Sequence, residues 1–139
     1  MHEYGIAHEI VEAVKKYVEG NKADRPIRCW VQMGAICGIN PEALENAFPL
    51  AAENTICKDM EMDVFIEPAV CKCRDCNSEI KLKEYTDMIF CQSCGSVDIE
   101  YPDSARRIFL TKLELEKEGK VFILEFKNVE MEEEEHHHD

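Results

Sequence analysis

Two Cys-x-x-Cys pairs, CRDC at 73–76 and CQSC at 91–94, constrain this chain more than any other feature of its sequence. Each pair can present two thiolates from one tight turn, and two such turns complete a tetrahedral four-sulfur zinc site. Asn77 and Gly95 follow the pairs, and both residue types tolerate the left-handed conformation that turns backbone amides toward the sulfurs. The spacing therefore predicts one zinc site with these ligands: Cys73, Cys76, Cys91 and Cys94.

The remaining four cysteines are not predicted to be metal ligands. Cys71 stands beside the first pair, and we interpret it as a bystander at the end of the entering strand. Cys29, Cys37 and Cys57 are scattered through apolar-rich sequence and are expected to be small buried side chains. Unliganded thiols or a redox pair are the less favoured interpretation of the clustered cysteines, because this poorly apolar segment has little else to hold it together. Four thiolates leave no position for water, so the zinc is predicted to be structural rather than hydrolytic.

Hydrophobic periodicity predicts two helices and four strands around the cysteine segment. Apolar residues at helical spacing indicate a helix over about 5–19, and Asn40 followed by Pro41 indicates the cap and first turn of a second helix, which Pro49 is expected to kink or shorten. Alternating patterns indicate the strands. These are IRCWVQMG, MEMDVFIEP ending at Pro68, RRIFLTKLELEK, and VFILEFKNV, the last two forming a hairpin around EGK.

This order of elements predicts an α+β fold with an insertion. Strands on both sides of the cysteine segment need a common core, so two helices should lie on a small mixed sheet, with a zinc-ribbon domain inserted into it. The predicted boundaries are 1–69 plus 102–130 for the α+β domain and 70–101 for the zinc domain. The acidic and histidine-rich stretch 131–139 is expected to be a disordered tail.

The charge of the chain narrows the class of partner. The formal net charge is −13, and the six acids beyond Lys127 leave −7 on the remainder. Such a surface repels phosphate backbones, which disfavours nucleic acid and suits cations and basic protein surfaces. No apolar run reaches the roughly 18 residues of a membrane helix, and no basic, apolar leader is present. A cytoplasmic protein without a membrane partner is expected.

The first three residues, Met1, His2 and Glu3, offer a second set of metal ligands. The α-amine, the amide nitrogen of His2 and its imidazole can chelate one ion through adjoining rings, and Glu3 can add a nitrogen or a carboxylate. Nitrogen-rich planar coordination suits nickel(II) or copper(II) better than zinc. The alternative interpretation is that histidine and glutamate follow the initiator methionine by chance and bind no metal. No nucleophile with a base, phosphate loop or carboxylate pair indicates an enzyme.

Together these motifs resemble the HypA/HybF family of nickel metallochaperones, which help to mature nickel-iron hydrogenase and, in some organisms, urease. The resemblance rests on M-H-E-x-x-I at 1–6, a helix, G-I-N-P-E-A-L at 38–44 and the late double Cys-x-x-Cys, and it extends to about Lys117. It implies a nickel-binding α+β domain with an inserted zinc domain, in agreement with the pattern. It also implies a carrier rather than a catalyst.

The resemblance assigns roles to named positions. His2 would be the principal nickel ligand, completed by Met1 and Glu3, and the four paired cysteines would hold zinc. The implied partners are a HypB-type GTPase, the hydrogenase large subunit and, for some members, urease maturation factors. Some relatives carry an aspartate at the position of Asn40, where a carboxylate can approach nickel. The strand from Val121 and the tail extend past the usual end of the family.

Several points stay open at this level. The alternative function is a zinc-ribbon protein-interaction module with no nickel role, which the acidic composition disfavours. His8 is interpreted as a solvated helix residue, and His136, His137 and His138 as a purification remnant in preference to a metal buffer. The pattern does not decide between a monomer and a homodimer.

Overall fold

A computed structural model describes residues 3–132 of the chain. It contains these elements, in chain order: α1 (Glu3–Gly20), β1 (Arg25–Gly34), α2 (Pro41–Ala52), β2 (Glu61–Glu67), β3 (Ala69–Cys73), β4 (Glu79–Leu82), β5 (Ile99–Glu100), a 3₁₀ helix (Asp103–Arg106), β6 (Ile108–Lys117) and β7 (Lys120–Glu130). Within this part of the chain, no helix combines the length and the apolar character needed to cross a membrane.

The larger sheet has the strand order β2-β1-β6-β7. β1 and β2 are parallel, whereas β1 pairs with β6 and β6 with β7 in antiparallel fashion, so the predicted mixed sheet is confirmed. The predicted hairpin is also confirmed. Its turn consists of Glu118 and Gly119, both with positive φ (52° and 78°), as a two-residue turn with right-handed strand twist requires.

Both helices cover one face of this sheet because their apolar stripes match the inward face of the strands. Buried residues of α1, among them Ile6, Ile10 and Val14, share one core with alternate residues of β1 and β6 such as Val31 and Leu113. The two predicted helices are confirmed, and α1 is slightly longer at both ends than its periodicity indicates. We call these elements, α1, β1, α2, β2, β6 and β7, the α/β unit.

The second helix differs from its prediction at Pro49. Asn40 caps α2 as expected, its side-chain oxygen accepting a hydrogen bond from the amide of Glu42 at 2.8 Å. The helix nevertheless continues through Pro49 to Ala52. Proline removes the bond to the carbonyl four residues earlier, that of Glu45, whose residue is exposed, so water can satisfy this carbonyl.

A smaller sheet of order β4-β3-β5 contains Cys73, the first residue of the first cysteine pair, at the end of β3. We call residues 69–101 the cysteine module. Its cluster of buried residues is small: Ala69, Cys71, Cys73, Cys91, Ile99 and, from the following 3₁₀ helix, Ala105. The module also contacts the α/β unit directly, because Tyr85 packs against the larger core and the amide of Thr86 donates to the carbonyl of Ala35 at 2.8 Å.

The chain re-enters the α/β unit through a close backbone contact at Gly34. The amide of Gly34 donates to the carbonyl of Arg107 at 2.8 Å, and the amide of Ile36 donates to the carbonyl of Ala105 at 2.9 Å. A Cβ at position 34 would lie 2.2 Å from the carbonyl oxygen of Ala105. Only glycine lets β1 and the 3₁₀ helix approach this closely. No sequence pattern predicted this contact.

Candidate metal sites

The structure brings together the four sulfurs that the spacing singled out. The Sγ atoms of Cys73, Cys76, Cys91 and Cys94 all lie within 4.8 Å of one another. The Cys73–Cys94 and Cys76–Cys91 pairs are 3.6 Å and 3.5 Å apart. A tetrahedral zinc ion with bonds of about 2.3 Å would hold its sulfurs roughly 3.8 Å apart, so this donor set fits zinc in both chemistry and spacing.

The two pairs are held by the same local hydrogen bonds. The amide of Cys73 donates to the carbonyl of Ser78 at 2.9 Å, and the amide of Asn77 donates to the carbonyl of Cys73 at 2.9 Å. The second pair has the same two bonds: the amide of Cys91 donates to the carbonyl of Ser96 at 2.8 Å, and the amide of Gly95 donates to the carbonyl of Cys91 at 2.7 Å. Asn77 and Gly95 have positive φ (63° and 76°), as their residue types predict.

Four polar residues join one pair to the other, and sequence reasoning did not identify them. The amide of Arg74 donates to the carbonyl of Asp98 at 3.0 Å, and its guanidinium donates to the carboxylate of that residue at 3.1 Å. The hydroxyl of Ser96 donates to the carboxylate of Asp75. These bonds bring the second turn against the first. They depend on tertiary pairing, which the spacing alone does not reveal.

The pKa shifts differ among the sulfurs. They favour the thiolate at Cys76 and Cys91, whereas at Cys94 a backbone hydrogen bond with Ser96 lowers the pKa but hydrogen bonding to Cys73 and burial outweigh it and raise the pKa to about 12. Hydrogen bonding to Ser78, whose hydroxyl lies 3.1 Å from the sulfur, lowers the pKa of Cys76 to about 6. A backbone hydrogen bond from Cys94 is the main cause of a lowered pKa at Cys91. Thiolate is the form that binds metal, so the lowered pKa values of Cys76 and Cys91 agree with metal binding, and the convergence of the four sulfurs carries the assignment of the site.

The other cysteines lie apart from this cluster. Cys71 is buried on β3 opposite Ile80 and is not among the four converging sulfurs. Cys29, Cys37 and Cys57 are buried in the larger core, as predicted. Burial raises the pKa of each of these three thiols, to about 11 for Cys57, so they are neutral packing residues at ordinary pH.

The predicted nickel ligands are only partly within the described residues. Met1 and His2 lie outside them, and Glu3 is the first residue of α1, with its side chain half-buried. The charge of Glu3 contributes to the raised pKa of Tyr85, after burial, Asp87 and Cys37. His8 is exposed, and its ring stacks on Tyr4 with the ring centroids 6.4 Å apart.

The last predicted feature, the histidine-rich tail, is also largely outside the described part of the chain, since residues 133–139 are not described. Met131, which the sequence assigns to the tail, is buried in the larger core. Its amide donates to the carbonyl of Ile108 at 2.7 Å. The ordered chain therefore reaches at least this residue.

Comparison with known proteins identifies the family of this chain. Residues 1–115 match the family model HypA, described as hydrogenase/urease nickel incorporation, metallochaperone. The chain is similar to the hydrogenase maturation factors HypA of Shewanella sp. (strain MR-7) and Aquifex aeolicus (strain VF5). It is 32% identical to the first over 85% of this chain and 98% of the relative, and 34% identical to the second over 84% and 98%.

Solved structures support the fold. The solution structure of the Ni metallochaperone HypA from Helicobacter pylori superimposes with a TM-score of 0.58 at 24% identity, covering 85% of this chain and 100% of that one. At that identity the likeness concerns the fold alone. The match of the family model over most of the sequence carries the assignment, and the chain belongs to the HypA family of hydrogenase/urease nickel-incorporation metallochaperones.

Proposed function

We propose that this protein binds one nickel(II) ion through its N-terminal residues and delivers it during maturation of nickel-iron hydrogenase. The observation that carries the proposal is the M-H-E sequence at 1–3, whose glutamate is the first residue of α1, in a chain whose residues 1–115 match the family. The α-amine, the His2 amide nitrogen and the His2 imidazole supply three nitrogen donors in adjoining chelate rings. This arrangement is one that nickel(II) prefers. Urease is the alternative client that the family description allows.

The start of α1 is a suitable place for such a site. Glu3 belongs to the first turn of an 18-residue helix whose next turn, at Ile6 and Ala7, is fully buried. The backbone of Glu3 is therefore anchored by the helix, while the two residues before it are proposed to provide the nitrogen donors. An ion held by a few ligands at a chain terminus can leave by stepwise ligand exchange, which a carrier needs and an enzyme does not.

The proposed role of the cysteine module is structural. Cys73, Cys76, Cys91 and Cys94 would hold one zinc ion, whose coordination would be closed by the four thiolates. We propose that residues 70–101, which are the cysteine module without Ala69, form an insertion in a domain made of 1–69 and 102–130. Tyr85 packs against the larger core and the amide of Thr86 donates to the carbonyl of Ala35, so the module is joined to the α/β unit by these contacts as well as by the chain.

The partners proposed for nickel transfer are proteins. They are a HypB-type GTPase and the hydrogenase large subunit, with urease maturation factors as the alternative, and the proposed location is the cytoplasm. The acidic charge of the chain favours basic protein surfaces and opposes binding to nucleic acid.

A nickel titration tests the N-terminal site. Native protein should bind one nickel ion per chain. His2→Ala should weaken nickel binding by about 100-fold, because it removes the imidazole and with it one of the two chelate rings. One residue added before Met1 should weaken binding comparably because it displaces the α-amine. Equal affinity in the extended protein would refute the N-terminal site and leave a zinc-ribbon interaction module as the function.

The same titration contains its own control. Zinc content should be unchanged in both N-terminal variants, because Glu3 and the four cysteines belong to different clusters. A parallel loss of zinc would mean that the variants had disturbed the fold rather than a nickel ligand.

A further inference from the structure

The two edges of the larger sheet differ in how well they are protected against pairing with another strand. β2 forms one edge, and β7 forms the other. β7 begins at Lys120, beyond residues 1–115 that match the family model, so its edge lies outside the matched part of the chain. Open edge strands tend to pair with other strands, and proteins usually oppose this with charges, proline, bulges or a short strand.

The β2 edge has such protection. The strand spans seven residues, and Pro68 follows it directly. Its acidic side chains are Glu61, Asp63 and Glu67. The guanidinium of Arg28 on the neighbouring β1 forms ion pairs with the first two of these carboxylates. Any strand added at this edge would meet a row of charged side chains, which opposes pairing.

The β7 edge is not protected in this way over its first half. β7 is 11 residues long, and the four consecutive residues from Val121 to Leu124 are all apolar. Val121 and Ile123 are each 53% exposed, on the sheet face away from the helices. Phe122 and Leu124 lie on the helix side, where they pack against the larger core but remain half-buried. Apolar side chains are therefore accessible on both faces of this edge.

The backbone of β7 also presents free hydrogen-bonding groups here. Lys117 and Lys120 form the pair that closes the two-residue turn to β6, and such a closing pair exchanges both of its hydrogen bonds. Bonded and non-bonded pairs alternate along an antiparallel ladder, and the register is regular from this turn to Glu125. The N–H and C=O groups of Val121, Ile123 and Glu125 therefore point away from β6. Among the described residues, no strand pairs with this side of β7.

We propose that this edge pairs with β7 of a second copy of the chain, antiparallel and around a two-fold axis. Such a pairing is self-complementary, because each copy contributes the same outward-pointing backbone groups. With Ile123 opposite its equivalent in the second copy, Val121 lies opposite Glu125 on the outer face. Phe122 then lies opposite Leu124 on the helix side. The two four-stranded sheets join into one continuous sheet, and the apolar side chains of the two edges cover each other.

The charges of β7 are compatible with this register. Glu125 is the one carboxylate in the paired stretch 120–126, and its two copies are four residue positions apart, roughly 13 Å along the strand. At that distance, ordinary ionic strength screens most of their repulsion. A register with Ile123 opposite Glu125 would make the carboxylates diagonal neighbours at about 7–8 Å. Two centred β2 strands would instead set Glu61 directly against Glu67, so self-pairing is favoured at β7 and opposed at β2.

Sedimentation velocity of the full chain without nickel tests the pairing, which goes beyond the proposed nickel site. One strand per copy buries less than the roughly 800 Å² per partner of standard interfaces, so a concentration-dependent monomer–dimer equilibrium is expected. Ile123→Lys should weaken dimerisation at least about tenfold, because two ammonium groups would lie directly opposite each other. Phe65→Lys is the matched control, since it places the same side chain on the exposed face of the other edge. It should dimerise within about twofold of the native protein.

Amide hydrogen exchange gives a readout that needs no variant. In the native protein, exchange at Val121, Ile123 and Glu125 should slow by about tenfold once nine-tenths of the chains are paired, because these N–H groups exchange only from the monomer. The amides of Phe122 and Leu124 are the internal control. They are bonded to β6 in monomer and dimer alike, so their exchange should slow less.

Several results would overturn the inference. A chain that stays monomeric at every soluble concentration would exclude the pairing. Unchanged dimerisation in folded Ile123→Lys would place the interface elsewhere, and a loss in Phe65→Lys alone would assign it to β2. Exchange at the three outward amides that is independent of concentration would exclude backbone pairing along β7. The proposed function does not depend on any of these results, because nickel binding is measured separately by titration.

Discussion

The α/β unit and the cysteine module differ in how many apolar side chains each of them buries. The α/β unit places two helices over four strands, and its core includes large fully buried residues such as Ile10, Met33, Leu44 and Leu113. In the cysteine module, the buried cluster is formed by small residues and cysteines, with Ile99 as its one large aliphatic member. A segment of this size with so little apolar burial is below what burial alone stabilises.

This difference indicates that the two parts depend on different sources of stability. In the α/β unit, each buried aliphatic side chain contributes roughly 1.5–3 kcal/mol, which can offset the conformational entropy of the ordered chain. In the cysteine module, the proposed zinc ion would supply that contribution, since a structural zinc site contributes on the order of 10 kcal/mol. The two parts should therefore respond to different perturbations.

Loss of one thiolate should have the largest effect, and it should be confined to the module. In Cys91→Ala, we expect zinc to be lost and residues 69–101 to unfold, while α1 and the larger sheet remain folded. Native mass spectrometry would measure the zinc, and amide hydrogen exchange would compare the module with α1. Cys71→Ala is the matched control, because Cys71 lies in the same strand but outside the four-sulfur group. Retention of zinc in Cys91→Ala would contradict the assignment.

A methyl group at the junction of the two parts should have the next largest effect. Gly34→Ala would bring a Cβ to 2.2 Å from the carbonyl oxygen of Ala105, so the backbone must move, at a cost of about 3 kcal/mol in the free energy of unfolding. Gly20→Ala is the control, since nothing lies within 4 Å of its Cβ position and helix propensity favours alanine. Denaturant titration would compare them, and equal stabilities would contradict the close approach.

Local features of the fold could be predicted from sequence, and long-range contacts could not. Helical and alternating periods located both helices and the larger sheet, and the spacing of Cys73, Cys76, Cys91 and Cys94 identified the sulfurs that converge. The contact of Gly34 with Ala105 and the bonds between Arg74 and Asp98 join residues far apart in sequence without any repeating pattern. Met131 was assigned to the tail because its neighbours are acidic, although its own side chain reaches the core.

Alkaline pH should weaken the α/β unit through its buried thiols. Burial raises the pKa of Cys57 from its ordinary 9.0 to about 11, and that of Cys29 is raised as well. A raised folded-state pKa contributes stability that is fully present below pH 9 and is lost as pH rises through 11, because the unfolded chain ionises first. The denaturant concentration at the unfolding midpoint should be lower at pH 10 than at pH 8, and this decrease should be smaller in Cys57→Ala. An identical pH slope in that variant would exclude the thiol as the cause.

The smallest expected effect concerns the cap of α2 and separates stability from nickel binding. Asn40→Ala removes the oxygen that accepts the amide of Glu42 at 2.8 Å, which should cost about 1 kcal/mol in the free energy of unfolding. Asn40→Asp keeps an acceptor and should retain the stability. Because the Asn40 oxygen is engaged in the cap, the alanine variant should bind nickel with native affinity. A clear loss of nickel affinity in Asn40→Ala, at unchanged zinc content, would make Asn40 a nickel ligand.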